Sequence, residues 1–143
     1  MNKPIYTTRA QVNGGRDGHG RTEDGKLDVA LRMPTELGGD GAGTNPEQLF
    51  AVGYAACFAT VLTLLGRRDG VDTDDVGIAS TVHLVPAGGG TFELAVELDI
   101  SLPSISEHAE AAGLVRKAHQ ICPYSRATRG NIETTFRVNG MDL

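Results

Sequence analysis

The chain has 143 residues and a net charge of −5, which fits a single domain, 1–143, with room for a modest core. Its thirteen Lys and Arg residues are scattered singly or in short pairs, which excludes the basic patch or stripe of a nucleic-acid surface. Met1-Asn2-Lys3-Pro4 leads straight into a strand-like run without a signal peptide, so the two cysteines are expected in a reducing cytoplasm, where a disulfide is more often transient and catalytic than structural.

In chain order, Ile5 to Val12 reads as a short strand. Asn13 to Gly20 is a loop with four glycines that gives the backbone freedom to present Arg16 outward. It lacks the lysine-threonine pair and the strand-to-helix setting of a phosphate loop. Taken alone, Arg16 is a plain turn arginine. Asp24-Gly25 marks a hairpin, after which Leu27, Val29 and Leu31 alternate with Asp28, Ala30 and Arg32 as a half-buried strand does. Met33 to Thr44 is a glycine-containing loop.

The next stretch, Asn45 to Gly66, organises the chain. Asn45 is a good N-cap, Pro46 suits the first helical position, and Glu47 complements the positive end of the helix dipole. No charge follows from Gln48 to Gly66, where Gly66 and Arg67-Arg68 read as a stop. The expectation is a helix of about twenty residues, apolar all round and so buried on every side. The run approaches the length of a membrane span, but Gly53, Tyr54, Thr60 and Thr63 dilute it, and the remaining chain alternates like soluble strands. With 19 glycines and 5% aromatics, one chain is short of surface to cover such a helix, and a partner chain would help.

Asp69 to Asp75 is a polar turn. Val76 to Pro86 and Thr91 to Leu102 are strands joined by Gly88-Gly89-Gly90. Ser104-Ile105-Ser106-Glu107 matches a capping box and opens a helix to about Ile121, with Ala109, Ala112 and either Leu114 or Val115 facing inward. Cys122 before Pro123 marks its end, a short turn runs to Gly130, and Asn131 to Val138 is the last strand. Strands and helices do not alternate regularly, so the fold class is α+β.

The chemistry centres on Cys57, in Ala55-Ala56-Cys57-Phe58. An isolated cysteine there would be an inert core thiol, but Cys122 gives it a possible partner. The two do not form a Cys-x-x-Cys motif. A zinc site built from them with His19, His83, His108 or His119 lacks the ligand spacing of known zinc sites, so no metal and no bound cofactor are expected.

Four motifs now stand in order along almost the whole chain: Gly14-Gly15-Arg16-Asp17-Gly18, Asn45-Pro46-Glu47-Gln48-Leu49-Phe50, Ala55-Ala56-Cys57-Phe58, and Cys122-Pro123-Tyr124-Ser125 with Ala127-Thr128-Arg129-Gly130-Asn131. Together they resemble the organic hydroperoxide resistance (Ohr) proteins of the OsmC/Ohr family, and the Pro-Tyr-Ser and Arg-Gly-Asn elements favour the Ohr branch. The resemblance implies antiparallel sheets packed around a long buried central helix in an intertwined homodimer. It also implies a thiol peroxidase that turns an organic hydroperoxide and a dithiol into an alcohol, water and a disulfide. Carried over, Cys57 is the peroxidatic and Cys122 the resolving cysteine, Arg16 and Glu47 are the polar partners of Cys57, and dihydrolipoyl groups of lipoylated proteins are the reductant.

The residues fit this physically. The attacking species is the thiolate, which burial disfavours, so a cation such as Arg16 must offset it. The guanidinium fork suits bidentate pairing with Glu47, while Arg126 and Arg129 are alternative cations. An apolar pocket of Phe50, Phe58 and helix aliphatics, with Tyr124 of the Pro-Tyr-Ser motif, would favour alkyl or fatty-acyl hydroperoxides. Two other readings are an OsmC-branch peroxidase with another peroxide or reductant preference, and a non-enzymatic lipid-binding protein. Glu47 and Cys57 lie ten residues apart on one helix, about 15 Å along its axis, so a site using both would need an antiparallel partner helix.

Overall fold

The computed structural model describes residues 2–143; Met1, where the expected opening run starts, lies outside them. Residues 2–49 and 50–143 form two compact units.

The first unit is built on an antiparallel sheet of β1 (Ala10–Asn13), β2 (His19–Thr22) and β3 (Asp28–Ala30), in that order. The expected strand from Ile5 is shifted: pairing starts at Ala10 opposite Thr22, and Ile5 and Tyr6 are exposed. The hairpin falls where Asp24-Gly25 places it. Gly25 adopts φ +72°, Thr22 N–H donates to Leu27 O at 2.8 Å, and Asp24 Oδ1 accepts the Lys26 N–H at 3.0 Å. β3 is shorter than the alternation suggests, because beyond Ala30 the chain pairs with Thr44 instead: Arg32 N–H donates to Thr44 O and Thr44 N–H to Ala30 O, both at 3.0 Å.

Helix α1 (Pro46–Asp69) is capped as expected, with Asn45 Oδ1 accepting the Gln48 N–H at 2.9 Å. It runs three residues past the expected stop. Gly66 is no terminator: a Cβ there would lie 2.2 Å from Thr73 Oγ1 and 2.8 Å from Val71 O, so glycine is needed for close packing. The true stop is Gly70, at φ +72°, after which Val71 N–H returns to Gly66 O at 2.8 Å in a Schellman arrangement.

The second unit holds a four-stranded sheet, β4 (Gly77–Gly88), β5 (Thr91–Ser101), β6 (Glu133–Val138) and β7 (Met141–Asp142), in chain order. β4 and β5 pair antiparallel through the glycine turn, but β6 runs parallel to β5, so the sheet is mixed rather than antiparallel. The link between β5 and β6 carries α2 (His108–Ile121) and α3 (Pro123–Thr128), the kind of long helical crossover that a parallel pair requires. The two-residue β7 was not expected from sequence. It returns through Asn139 and Gly140, both at positive φ, while Asn139 Oδ1 accepts the Leu102 N–H at 2.7 Å.

The expected capping box does not form. Glu107 is the N-cap of α2 without a side-chain bond, and Ser104 Oγ donates to Asp75 Oδ2 instead. Ala109 is exposed, whereas Ala111, Ala112, Ala118 and both Leu114 and Val115 are buried. Ala111, Leu114, Val115 and Ala118 meet Val96, Leu98 and Ile100 of β5 and one face of α1 (Tyr54, Phe58, Val61, Leu62, Leu65) in a single core. The opposite face of α1 is uncovered in the chain, so the burial on every side expected of this helix is not met by one chain alone. Val52 is 71% and Leu64 59% exposed, with Ala56 and Thr60 exposed between them at i, i+4 spacing. Uniform apolarity hides which face a core will take, because only a periodic pattern distinguishes them.

Candidate functional site

Cys57 projects from the middle of α1, and Cys122 sits at the break between α2 and α3. That break follows from Pro123, which disfavours the helical region for the residue before it; Cys122 adopts φ −56°, ψ 125°. The bend is anchored at both sides, since Cys122 N–H donates to Ala118 O at 2.8 Å and its carbonyl accepts the Arg126 N–H at 2.9 Å. The two cysteines are 65 residues apart in sequence, yet the Cys122 thiol points at Cys57 Sγ at 3.6 Å, with both reduced. Cys122 is fully buried and Cys57 is half-buried, so a reagent from solvent reaches Cys57 first. Burial pushes the Cys57 thiol pKa above its ordinary value and the neighbouring Cys122 adds to this, while the Tyr124 backbone N–H pulls it down.

An aromatic cluster is built on the same elements, α1 and α3. Phe50, Tyr54 and Tyr124 lie with ring centroids 5.8–6.0 Å apart, and Phe58 packs on Phe136 at 5.5 Å. Of the expected pocket residues, Phe50 is half-buried and Tyr124 is exposed, whereas Phe58 has no exposed surface and stands behind them in the core. Tyr124 lies over Gly53, where a Cβ would come within 3.0 Å of Tyr124 Oη. Between the same two elements, Tyr54 Oη and Ser125 Oγ share a hydrogen bond of 2.7 Å, both residues fully buried. Sequence reasoning missed Gly53, Tyr54 and Ser125. Tyr54 precedes Cys57 by three residues on one face of α1, and Ser125 follows Cys122 by three across the bend, but neither spacing signals that the two hydroxyls meet.

Arg16 and Glu47 form a second constellation, in residues 2–49. Arg16 sits in a 3₁₀ turn, Gly15–Asp17, that is far from a flexible loop. A Cβ on Gly18 would lie 1.7 Å from Asn13 O, so only glycine lets the turn close. Asp17 Oδ1 accepts the Met33 N–H at 3.1 Å, and Gly18 O accepts both the Leu31 N–H and Arg32 Nη1 at 2.9 Å. From this braced turn Arg16 makes the expected fork, Nη1 to Glu47 Oε2 at 2.8 Å and Nη2 to Oε1 at 2.6 Å. The hydrogen bonds to Arg16 hold the Glu47 carboxyl below its ordinary range and raise the guanidinium further. Of the alternative cations, Arg129 donates to His119 O at 2.8 Å, and Arg126 is exposed on α3.

Among the described residues no three His, Cys, Asp or Glu side chains gather to hold a metal. His19 pairs with Asp28, His83 with Glu97, and His119 packs edge-on to Phe136.

The fold and the thiol pair define a two-cysteine α+β protein. Residues 38–137 match the OsmC-like protein family, and the chain belongs to the OsmC/Ohr family. It is 48% identical, over 94% of both chains, to the organic hydroperoxide resistance protein of Xanthomonas axonopodis pv. citri. Among solved structures it resembles an organic hydroperoxide resistance protein from Legionella pneumophila, with 45% identity, TM-score 0.91, and coverage of 95% of this chain and 98% of that one. A third relative, the organic hydroperoxide resistance protein of Elizabethkingia anophelis, gives 41% identity and TM-score 0.89, over 96% of this chain and 98% of that one.

The ion pair carries its own pH dependence. Because the folded-state pKa of Glu47 is depressed, its contribution is present above the unfolded value, about 4.3, and lost as pH falls through the folded value. For a partly exposed bidentate pair, Glu47→Gln is expected to cost about 1 kcal/mol at pH 7. That difference should fade in acid, as measured by denaturant unfolding of both proteins at neutral and acidic pH. Equal stability of the two at pH 7 would contradict this account of the pair.

Proposed function

We propose that the chain is a thiol peroxidase for organic hydroperoxides, with Cys57 as peroxidatic and Cys122 as resolving cysteine. The observation that carries this reading is the 3.6 Å contact between two reduced sulfurs, only one of which faces solvent. The Cys57 thiolate attacks one peroxide oxygen; the O–O bond breaks, the alkoxide takes up a proton and leaves as the alcohol, and Cys57 becomes a sulfenic acid. Cys122 then attacks the Cys57 sulfur, the S–O bond breaks, and the Cys122 proton leaves with hydroxide as water. The sulfurs need only close from contact to a bond length of about 2.05 Å. A dithiol, by our reading the dihydrolipoyl group of a lipoylated protein, restores both thiols by exchange. The accessible rings of Phe50 and Tyr124 offer the alkyl chain an apolar seat, and the relatives' names point to the same substrate class.

The functional unit is a homodimer in this reading. The uncovered α1 face adjoins an apolar hollow of about 420 Å³ lined by Ala51, Ala55, Ala59 and Ile78, a surface suited to a second copy. Two antiparallel α1 helices would bring each Glu47, with its Arg16, towards the partner's Cys57, supplying the cation that a buried thiolate needs.

With tert-butyl hydroperoxide and dihydrolipoamide the protein is expected to turn over, and much faster than with hydrogen peroxide and thioredoxin. Cys57→Ser should abolish turnover, and Cys122→Ser should react once and stall as a sulfenic acid. Sustained turnover in Cys57→Ser, with a sulfenic adduct on Cys122, would reverse the roles. Unchanged free-thiol content under peroxide would leave lipid binding as the better reading.

Shared sites are tested by co-expressing Cys57→Ser and Glu47→Ala chains. Random pairing makes half the dimers mixed, and each mixed dimer would hold one intact site of two. Activity should therefore recover to about a quarter of wild type, provided each variant alone is nearly inactive. Activity no greater than the sum of the two variants would refute sharing.

A further inference from the structure

Two pairs of side chains join α1 to the α2–α3 corner, one helical step apart. Tyr54 and Cys57 stand three residues apart on α1, and Cys122 and Ser125 stand three apart across the bend. Facing one another, they give a sulfur contact of 3.6 Å and a hydroxyl contact of 2.7 Å. Among the described residues, Tyr54–Ser125 is the only oxygen hydrogen bond linking α1 to α3. Tyr124 adds ring contacts to Phe50 and Tyr54 of α1, and the corner is braced internally by Arg126 N–H to Cys122 O at 2.9 Å, Arg129 N–H to Ser125 O at 2.8 Å, and Thr128 Oγ1 to Tyr124 O at 2.9 Å. These bonds make α3 a rigid piece, so fixing Ser125 fixes Cys122. Both hydroxyls are fully buried, and a buried hydroxyl that lost its partner would not recover a bond to water, so the link has strong reason to persist.

We propose that the buried Tyr54–Ser125 hydrogen bond is a positioning pair that holds Cys122 against Cys57, and so sets how fast a Cys57 sulfenic acid is closed to a disulfide. The inference rests on the thiol-peroxidase reading. Resolution is an intramolecular displacement: Cys122 sulfur bonds to Cys57 sulfur, the S–O bond breaks, and water leaves. Its rate follows the effective concentration of one sulfur at the other, which falls steeply when the groups are held loosely. The competing fate is attack by a second hydroperoxide on the sulfenic acid, giving a sulfinic acid and a second alcohol. A loosened corner therefore shifts the partition from disulfide to sulfinic acid.

Single variants Tyr54→Phe and Ser125→Ala each leave one orphaned hydroxyl, which by itself destabilises the fold. The double variant Tyr54→Phe/Ser125→Ala leaves no orphan, so its thermal midpoint should recover towards wild type. The ratio of sulfinic acid to disulfide, read by mass spectrometry over a titration of tert-butyl hydroperoxide, should nevertheless stay about tenfold above wild type in the double variant. A second readout needs no peroxide. In glutathione redox buffers, the effective concentration of the Cys57–Cys122 pair should fall about tenfold in the double variant. A double variant with the wild-type partition and wild-type effective concentration overturns the positioning role. If wild-type Cys57 is not oxidised by hydroperoxide at all, the peroxidase reading fails, while the glutathione measurement still decides whether the hydroxyl pair holds the sulfurs together.

Discussion

The proposed chemistry of this chain depends on one contact, between the sulfurs of Cys57 and Cys122 at 3.6 Å. Neither residue's local structure creates it. Cys57 is placed by α1, whose position is fixed by Tyr54, Phe58, Leu62 and Leu65 buried against β5 and α2. Cys122 is placed by the proline break, which turns the chain at the end of α2 and starts α3. The core sets the distance, the proline sets the direction, and the Tyr54–Ser125 hydrogen bond links the two elements.

The same packing creates an electrostatic problem. A half-buried thiol among aromatic rings has its pKa raised, whereas nucleophilic attack needs the thiolate. The Tyr124 backbone N–H opposes this only in part. Arg16 is the cation the proposed reaction calls on, and its preparation is visible in the turn that holds it. Gly14 and Gly15 take positive φ, Gly18 closes against Asn13, and Asp17 and the Gly18 carbonyl are tied to residues 31–33. Glu47 then orients the guanidinium through both of its oxygens. A guanidinium held this way loses little freedom when an anion forms nearby, which is the condition for electrostatic preorganisation.

Much of the fold was legible in the sequence because it rests on local signals. The Asn45 cap, the Asp24-Gly25 hairpin, the triple-glycine turn and the break at Pro123 each depend on one or two residues with a restricted or unusual backbone. The failures have non-local causes. The Ser104–Glu107 box was overridden by a bond from Ser104 to Asp75, 29 residues away. Gly66 read as a terminator because its packing partner Thr73 lies beyond the helix, and the parallel pairing of β5 with β6 depends on the intervening crossover. In the site, Arg16 with Glu47 and Cys57 with Cys122 were named from motifs. Tyr54 with Ser125 was not, because nothing in a sequence says that two hydroxyl residues 71 positions apart face each other.

In the proposed reaction these two sulfurs form one redox unit within a chain. The direct measurement is peptide mass spectrometry, without reduction, of fully reduced protein treated with one equivalent of an organic hydroperoxide. The expected product is one linked species, the Cys57 peptide joined to the Cys122 peptide of the same chain, with the corresponding alcohol released in equal amount. A disulfide between chains, or a product with Cys57 oxidised and Cys122 still a free thiol at completion, would contradict it.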